Sequence, residues 1–255
     1  MKRTLICIAG MLLFGLSACQ KPCECPVADE PVACGVPEQA AAPEAAAPEA
    51  AAPEAAKPAA DETPITAGAE EIVLPKPVAT DVTLTKALEE RRSVRNYDAE
   101  KNLKLQDVSN LLWSAYGVNR PDGKRTAPSA RNMQSATIYA LFEKGAYKSD
   151  HAAHKLIRLS EADLRPLKVA PMELLVTSNF TGDNADDPAK AVDYATIRGI
   201  DTGVVAQNVH LYCAAAGLAT VIRMQRTRDD AIVSGLQLTD NDHLIFNMAI
   251  GYEQK

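Results

Sequence analysis

Two short segments carry the residue types best suited to chemistry in this 255-residue chain. In Arg91-Arg92-Ser93-Val94-Arg95, two guanidiniums and a hydroxyl occupy alternate positions, and extended backbone sends alternate side chains to one side. That trio suits a phosphate, because arginine offers charge-assisted and often bidentate bonds. The second segment, Thr126-Ala127-Pro128-Ser129-Ala130-Arg131-Asn132-Met133-Gln134, opens with a Pro-Ser turn and continues into amide side chains that both donate and accept. Such amides suit the pyrimidine edge of a flavin. Taken alone, each segment has a plainer reading: a solvated arginine-rich surface, and an ordinary loop.

The elements that must position these residues read as mixed helix and strand. Leu84, Leu88 and Arg91 predict a helix over 85–92. Val108, Leu111, Leu112, Ala115 and Tyr116 repeat at helical spacing, with Gly117 as a natural stop. Thr137–Phe142 reads as a strand with a turn at Lys144-Gly145, Leu174–Ser178 as a short buried strand, and His243–Ile250 as the last one. Asp187-Pro188 opens a helical stretch through Tyr194 that continues from Asp201 to Gly217, with Gly199 as a candidate break. Thr227-Arg228-Asp229-Asp230 resembles a capping box. The irregular separation of strands predicts an α+β fold, and residues 82–255 are long enough for one domain with its own core.

In this order the two segments resemble the nitroreductase family of FMN flavoproteins. Leu111–Thr126 is similar to the helix and loop that precede the family's Pro-Ser turn, and Asp201–Leu211 to its long central helix. Gly217–Arg223 resembles the segment that follows, and Ile250-Gly251-Tyr252 the closing strand. The resemblance covers residues 82–255. It implies a largely antiparallel sheet flanked by helices, an intertwined homodimer, and chemistry carried by the isoalloxazine ring rather than by a protein nucleophile.

Carried over residue by residue, the resemblance gives Arg91, Ser93 and Arg95 the phosphate and the flavin edge. One cation approaches N1 and O2 of the ring, Arg95 first and Arg223 second. Pro128, Ser129, Ala130 and Asn132 match the turn that packs on the flavin from the partner subunit, with Gln134 beside them. Arg131 and Met133 are explained as well by loop packing, and Gln207 and Asn208 as well by a dimer interface as by flavin contact. Family members commonly continue past the Gly-Tyr pair with basic residues for the phosphate. Here Glu253, Gln254 and Lys255 follow, and Lys255 is the candidate substitute.

The front of the chain is different in kind. Lys2 and Arg3 precede an apolar stretch from Leu5 to Leu16, the pattern of a signal peptide over residues 1–18. Leu16-Ser17-Ala18-Cys19 resembles a bacterial lipobox, which implies cleavage before Cys19, its lipidation, and a stable membrane anchor outside the cytoplasm. Gln20, in place of an aspartate, leans toward the outer membrane. Residues 19–81 are rich in Ala, Pro and Glu, with prolines at 43, 48, 53 and 58. That composition predicts an extended tether without a core.

Charge follows the same division. The whole chain has a net charge of −6, whereas residues 1–81 hold 5 basic and 12 acidic residues and residues 82–255 hold 22 and 21. A near-neutral domain has no electrostatic footprint for nucleic acid. Among the cysteines, Cys213 reads as buried core, and Cys23, Cys25 and Cys34 as a local or intermolecular disulfide set rather than a zinc site. His151 and His154, beside Asp150, have metal-pair spacing but read better as hydrated surface, as do Lys144, Lys148 and Lys155.

Together these features predict a lipid-anchored FMN oxidoreductase that reduces small, flat, electron-poor acceptors such as nitroaromatics or quinones. The electron donor is NAD(P)H or an envelope quinol or redox partner. Two rivals share the pocket: a flavin- or ligand-binding envelope lipoprotein without turnover, and a specialised family member that oxidises a substrate.

Overall fold

The computed structural model describes residues 60–98, 100–180, 188–225 and 228–254. The expected signal peptide, Cys19, Cys23, Cys25, Cys34, the tether through residue 59, Thr227 and Lys255 lie outside the described residues. Among the described residues no helix is long and apolar enough to cross a membrane, and no cluster of His, Cys, Asp or Glu could hold a metal ion.

An eight-stranded sheet runs through the domain. In chain order the strands are β1 (Glu71–Val73), β2 (Tyr97–Asp98), β3 (Ala136–Phe142), β4 (Gly145–Asp150), β5 (Lys155–Ser160), β6 (Met172–Ser178), β7 (Leu218–Met224) and β8 (His243–Glu253). Their spatial order is β1-β5-β4-β3-β6-β8-β2, with β7 also on β8, and every pairing is antiparallel. The helices are α1 (Leu84–Glu90), α2 (Leu105–Tyr116), α3 (Pro188–Ala216) and α4 (Asp230–Gly235). The α+β expectation is therefore met.

β6 is buried at all of its positions and β3 at all but one, which is why both read as apolar runs rather than as alternating strands. On one face of the sheet, Val108, Leu111 and Leu112 of α2 and Val205 and Val209 of α3 pack against Ile138, Leu174, Met248 and Ile250. On the other, Ile232 and Leu236 of α4 cover Tyr139, Leu141 and Leu175. Cys213 is buried in the first of these clusters, as expected. Gly117 ends α2 by close approach: an added Cβ would overlap the Trp113 ring and carbonyl oxygen.

Several expectations are corrected here. The domain begins upstream of residue 82. Ile65 N donates to Leu103 O at 2.9 Å, β1 pairs with β5, and Ile72 and Leu74 are buried in the main cluster. These apolar residues sit in a proline- and alanine-rich stretch too short to show a period, so composition hid them. α3 runs unbroken through Gly199, where Thr202 Oγ1 donates to Arg198 O at 2.7 Å across the glycine. A helical glycine costs roughly 1 kcal/mol, which packing on α2 and the sheet outweighs. α4 is capped by Asp229, whose Oδ1 accepts from Ala231 N at 2.8 Å.

His151 and His154 do not lie on a hydrated surface. They flank the β4–β5 turn and pack inward: the His151 ring meets the edge of Tyr116 at 5.4 Å, and His154 Nε2 lies 2.7 Å from Ser109 Oγ. Burial, with the charges of Arg125 and His154 acting in the same direction and Asp150 opposing, pushes the His151 imidazole down to about 3. The ring is neutral in the fold and takes up a proton near pH 6.5 once unfolded. Its stabilising share is thus complete above that pH and is lost as the pH falls from there toward about 3. At about pH 5 the loss amounts to ~2 kcal/mol. His151→Asn is expected to flatten the fall in urea midpoint between pH 6.5 and 4; parallel curves for both proteins would remove His151 from acid unfolding. Lys155 likewise is not a free basic face, since its Nζ pairs with Glu71 across the β1–β5 edge at 2.9 Å.

Candidate functional site

The arginine segment is stitched to the end of the sheet. Val94 N donates to Thr220 O of β7 at 2.9 Å, Tyr97 Oη donates to Val94 O at 2.8 Å, and Tyr97-Asp98 pair with Glu253 and Tyr252 of β8. Val94 and Tyr97 are buried against Ala219 and Ala249. With those side chains inward, Ser93 and Arg95 remain exposed and Arg91 half-buried. Arg92 turns away to an ion pair with Glu253 at 2.6 Å.

The segment gathers three guanidiniums. Tyr97 is pushed up to about 12 by burial, with the charges of Arg223 and Arg95 opposing, so both charges lie within reach of the same phenol. The Arg91 charge lies within reach of His210 of α3, whose imidazole is held down first by burial and then by that charge. Neither these three arginines nor Ser93 has a side-chain hydrogen bond or ion pair among the described residues. A cavity of ≈ 440 Å³ is lined by Arg92, Val94, His210, Cys213 and Thr220 together with the carboxylates of Glu89, Glu90 and Glu253, and none of the three arginines is part of its lining. Two buried polar atoms at its wall, His210 Nδ1 and Thr220 Oγ1, have no hydrogen-bond partner. Beside Arg223 on the neighbouring strand, its register partner Asn247 donates to the wholly buried Glu173 at 3.2 Å.

The Pro-Ser turn is built at another place along α3. Ala130 N donates to both carboxylate oxygens of Asp201 at 3.0 Å, and Gln134 N donates to Ser129 Oγ at 3.0 Å. Burial pushes the Asp201 carboxyl up, with the Ala130 amide opposing. Arg131, Asn132 and Gln134 all take left-handed backbone, with φ of 53°, 56° and 48°, a sparsely populated region for residues other than glycine. Pro128 and Asn132 are exposed, and Ser129, Ala130 and Gln134 half-buried.

Within one chain the two groups are not brought together. The Arg91 charge lies within reach of His210 whereas Ala130 is tied to Asp201, nine positions earlier on the same helix, a rise of about 13 Å. Arg91, Ser93, Arg95 and Arg223 form one group, and the turn residues another. Sequence reasoning missed His210 and Thr220. A histidine inside an apolar helical run was the one available signal for the first; nothing marked the second, since a threonine in a strand is ordinary.

An antiparallel sheet flanked by helices, with arginines that lack protein partners among the described residues near one stretch of α3 and a Pro-Ser turn in left-handed backbone tied to another, defines an α+β protein. The chain belongs to the nitroreductase family, whose model it matches over residues 88–252. A nitroreductase relative from Methanocaldococcus jannaschii is 31% identical over 162 residues, spanning 57% of this chain and 80% of that protein. Among solved structures, a nitroreductase from Ralstonia eutropha JMP134 shares 30% identity with a TM-score of 0.66, covering 76% of this chain and 95% of that one. One from Anabaena variabilis is 17% identical with a TM-score of 0.54, covering 67% and 38%, a likeness of fold alone. Family membership makes the chain an oxidoreductase by class.

Proposed function

We propose that the protein is a lipid-anchored, FMN-dependent oxidoreductase, active as a homodimer, that reduces small flat electron-poor acceptors such as nitroaromatics and quinones. The observation that carries this reading is the set of three guanidiniums without protein partners together with two buried, unpartnered polar atoms. Buried polar groups are almost always satisfied, so a cavity wall holding His210 Nδ1 and Thr220 Oγ1 calls for a polar ligand. FMN fits that donor set: a phosphate for Arg91 and Ser93, and a ring edge for Arg95 and Arg223.

When bound, FMN supplies the two-electron chemistry. The chain's own part is to bind, orient and stabilise charge. A guanidinium at Arg95 or Arg223, close to where negative charge gathers on the reduced ring, favours reduction electrostatically. The turn from Pro128 to Gln134 of a second copy closes over the ring. This arrangement accounts for the separation of the two groups along α3. It is supported by a helix face on which Ile200, Gly203 and Gln207 are exposed, and by the exposed Leu84, Leu88 and Met224, since apolar surface of that kind marks interfaces.

The lipobox sequence separates the domain from cytoplasmic NAD(P)H. In this reading the physiological donor is therefore a membrane quinol or an envelope redox protein, and NAD(P)H reduces the isolated domain.

Purified protein is expected to be yellow. After anaerobic photoreduction, mixing with menadione should reoxidise it far faster than a catalytically irrelevant flavoprotein control. Reoxidation no faster than that control would leave a flavin-binding lipoprotein without turnover.

A further inference from the structure

The Pro-Ser turn holds three consecutive-neighbourhood residues in left-handed backbone, and something must keep Gln134 in place. Its side chain is gripped at both ends. Nε2 donates to Gly123 O at 3.1 Å and to Asn132 Oδ1 at 3.3 Å, and Oε1 accepts from Arg125 Nε at 3.0 Å. The cation opposite Oε1 fixes which way the amide points, because a guanidinium can only donate. Arg125 is in turn seated on the core. Its guanidinium lies 5.3 Å from the centre of the Tyr116 ring, and Tyr116 is the last residue of α2 and fully buried. The His151 ring packs against the same tyrosine from its edge.

We propose that Arg125 is a positioning residue for the flavin-covering turn: acting through Gln134, it transmits the fixed position of Tyr116 to the amides that meet the isoalloxazine. This rests on the functional reading above. Arg125 itself touches the turn and α2, so its contribution is geometric. A planar guanidinium can lie over a ring while aiming a directional N–H at Gln134; a lysine ammonium, as a point charge on a flexible stem, does the second task poorly. An apolar side chain of similar length does neither, and leaves Gln134 Oε1 without its donor.

The test is a double-mutant cycle on the full chain reconstituted with FMN, comparing wild type, Arg125→Met, Gln134→Leu and the double variant. Flavin dissociation rate and amide hydrogen exchange of residues 129–135 are the two readouts. Loss of a charge-assisted hydrogen bond is expected to speed dissociation about tenfold in Arg125→Met. Because Arg125 acts through Gln134, the same change should add little in the Gln134→Leu background. Exchange should rise across 129–135 while β3 and β6 stay protected, and Arg125→Lys should recover part of both effects. Multiplicative effects in the cycle, an unchanged dissociation rate, or exchange rising throughout the sheet would overturn the assignment. If wild type takes up no FMN, the functional reading fails by itself, and the exchange cycle on the same four proteins still decides whether Arg125 holds the turn.

Discussion

Replacing Arg91 and Arg95 together by alanine is expected to yield a folded, colourless protein. Neither guanidinium has a hydrogen bond or ion pair among the described residues, and Arg95 is exposed, so the fold loses little when they go. Surface substitutions of that kind usually lie within about 0.5 kcal/mol of neutral. Val94 and Tyr97, which carry the packing of the segment, remain buried in place. The ligand by contrast loses two charge-assisted contacts at roughly 1.5–3 kcal/mol each. Together these amount to at least about a hundredfold in affinity. Absorbance after reconstitution with excess FMN and gel filtration gives the flavin stoichiometry, and a urea midpoint close to wild type shows the fold intact. Stoichiometric flavin retained by the double variant would sink the site assignment.

The second large effect concerns where the domain begins. A chain starting at residue 60 is expected to keep wild-type stability, whereas one starting at residue 82 should be unfolded or insoluble. The longer deletion removes β1 and the buried side chains of Ile72 and Leu74, at roughly 1.5–3 kcal/mol each. It also strips partners from buried polar groups. Tyr147, wholly buried, loses Gly68 N at 2.7 Å and Ala69 O at 3.1 Å, and Gln106 Nε2 loses Lys76 O at 3.0 Å. Each lost hydrogen bond costs about 0.5–1.5 kcal/mol more, and the sum is comparable with the whole stability of an ordinary domain. Urea unfolding of both truncations decides the matter. Equal midpoints would restore residue 82 as the boundary and make the upstream strand an accessory.

The parts of the fold that were legible are those whose own residues announce their burial. α2 shows its apolar stripe, and β3, β6 and β8 are runs that the core surrounds. β4 and β5 were not legible. Lys148, Asp150, Lys155 and Arg158 interrupt them, and what makes them strands is pairing with β3 and β1, a long-range fact. For the same reason His151 and His154 looked like surface: their neighbours Tyr116 and Ser109 come from α2, far away in the chain.

The residue types at Arg91, Ser93, Arg95, Arg223 and the Pro-Ser turn were determined by the sequence itself, and with them the family and its class of chemistry, because donor chemistry and turn propensity are local properties. Which of these residues meet was decided only in three dimensions. β7 and β8 bring the charges of Arg223 and Arg95 within reach of Tyr97, and α3 carries His210 within reach of the Arg91 charge and Asp201 to the turn. A charge is written in one residue, but its distance to another, and the burial that gives that distance its strength, exist only once the chain has packed.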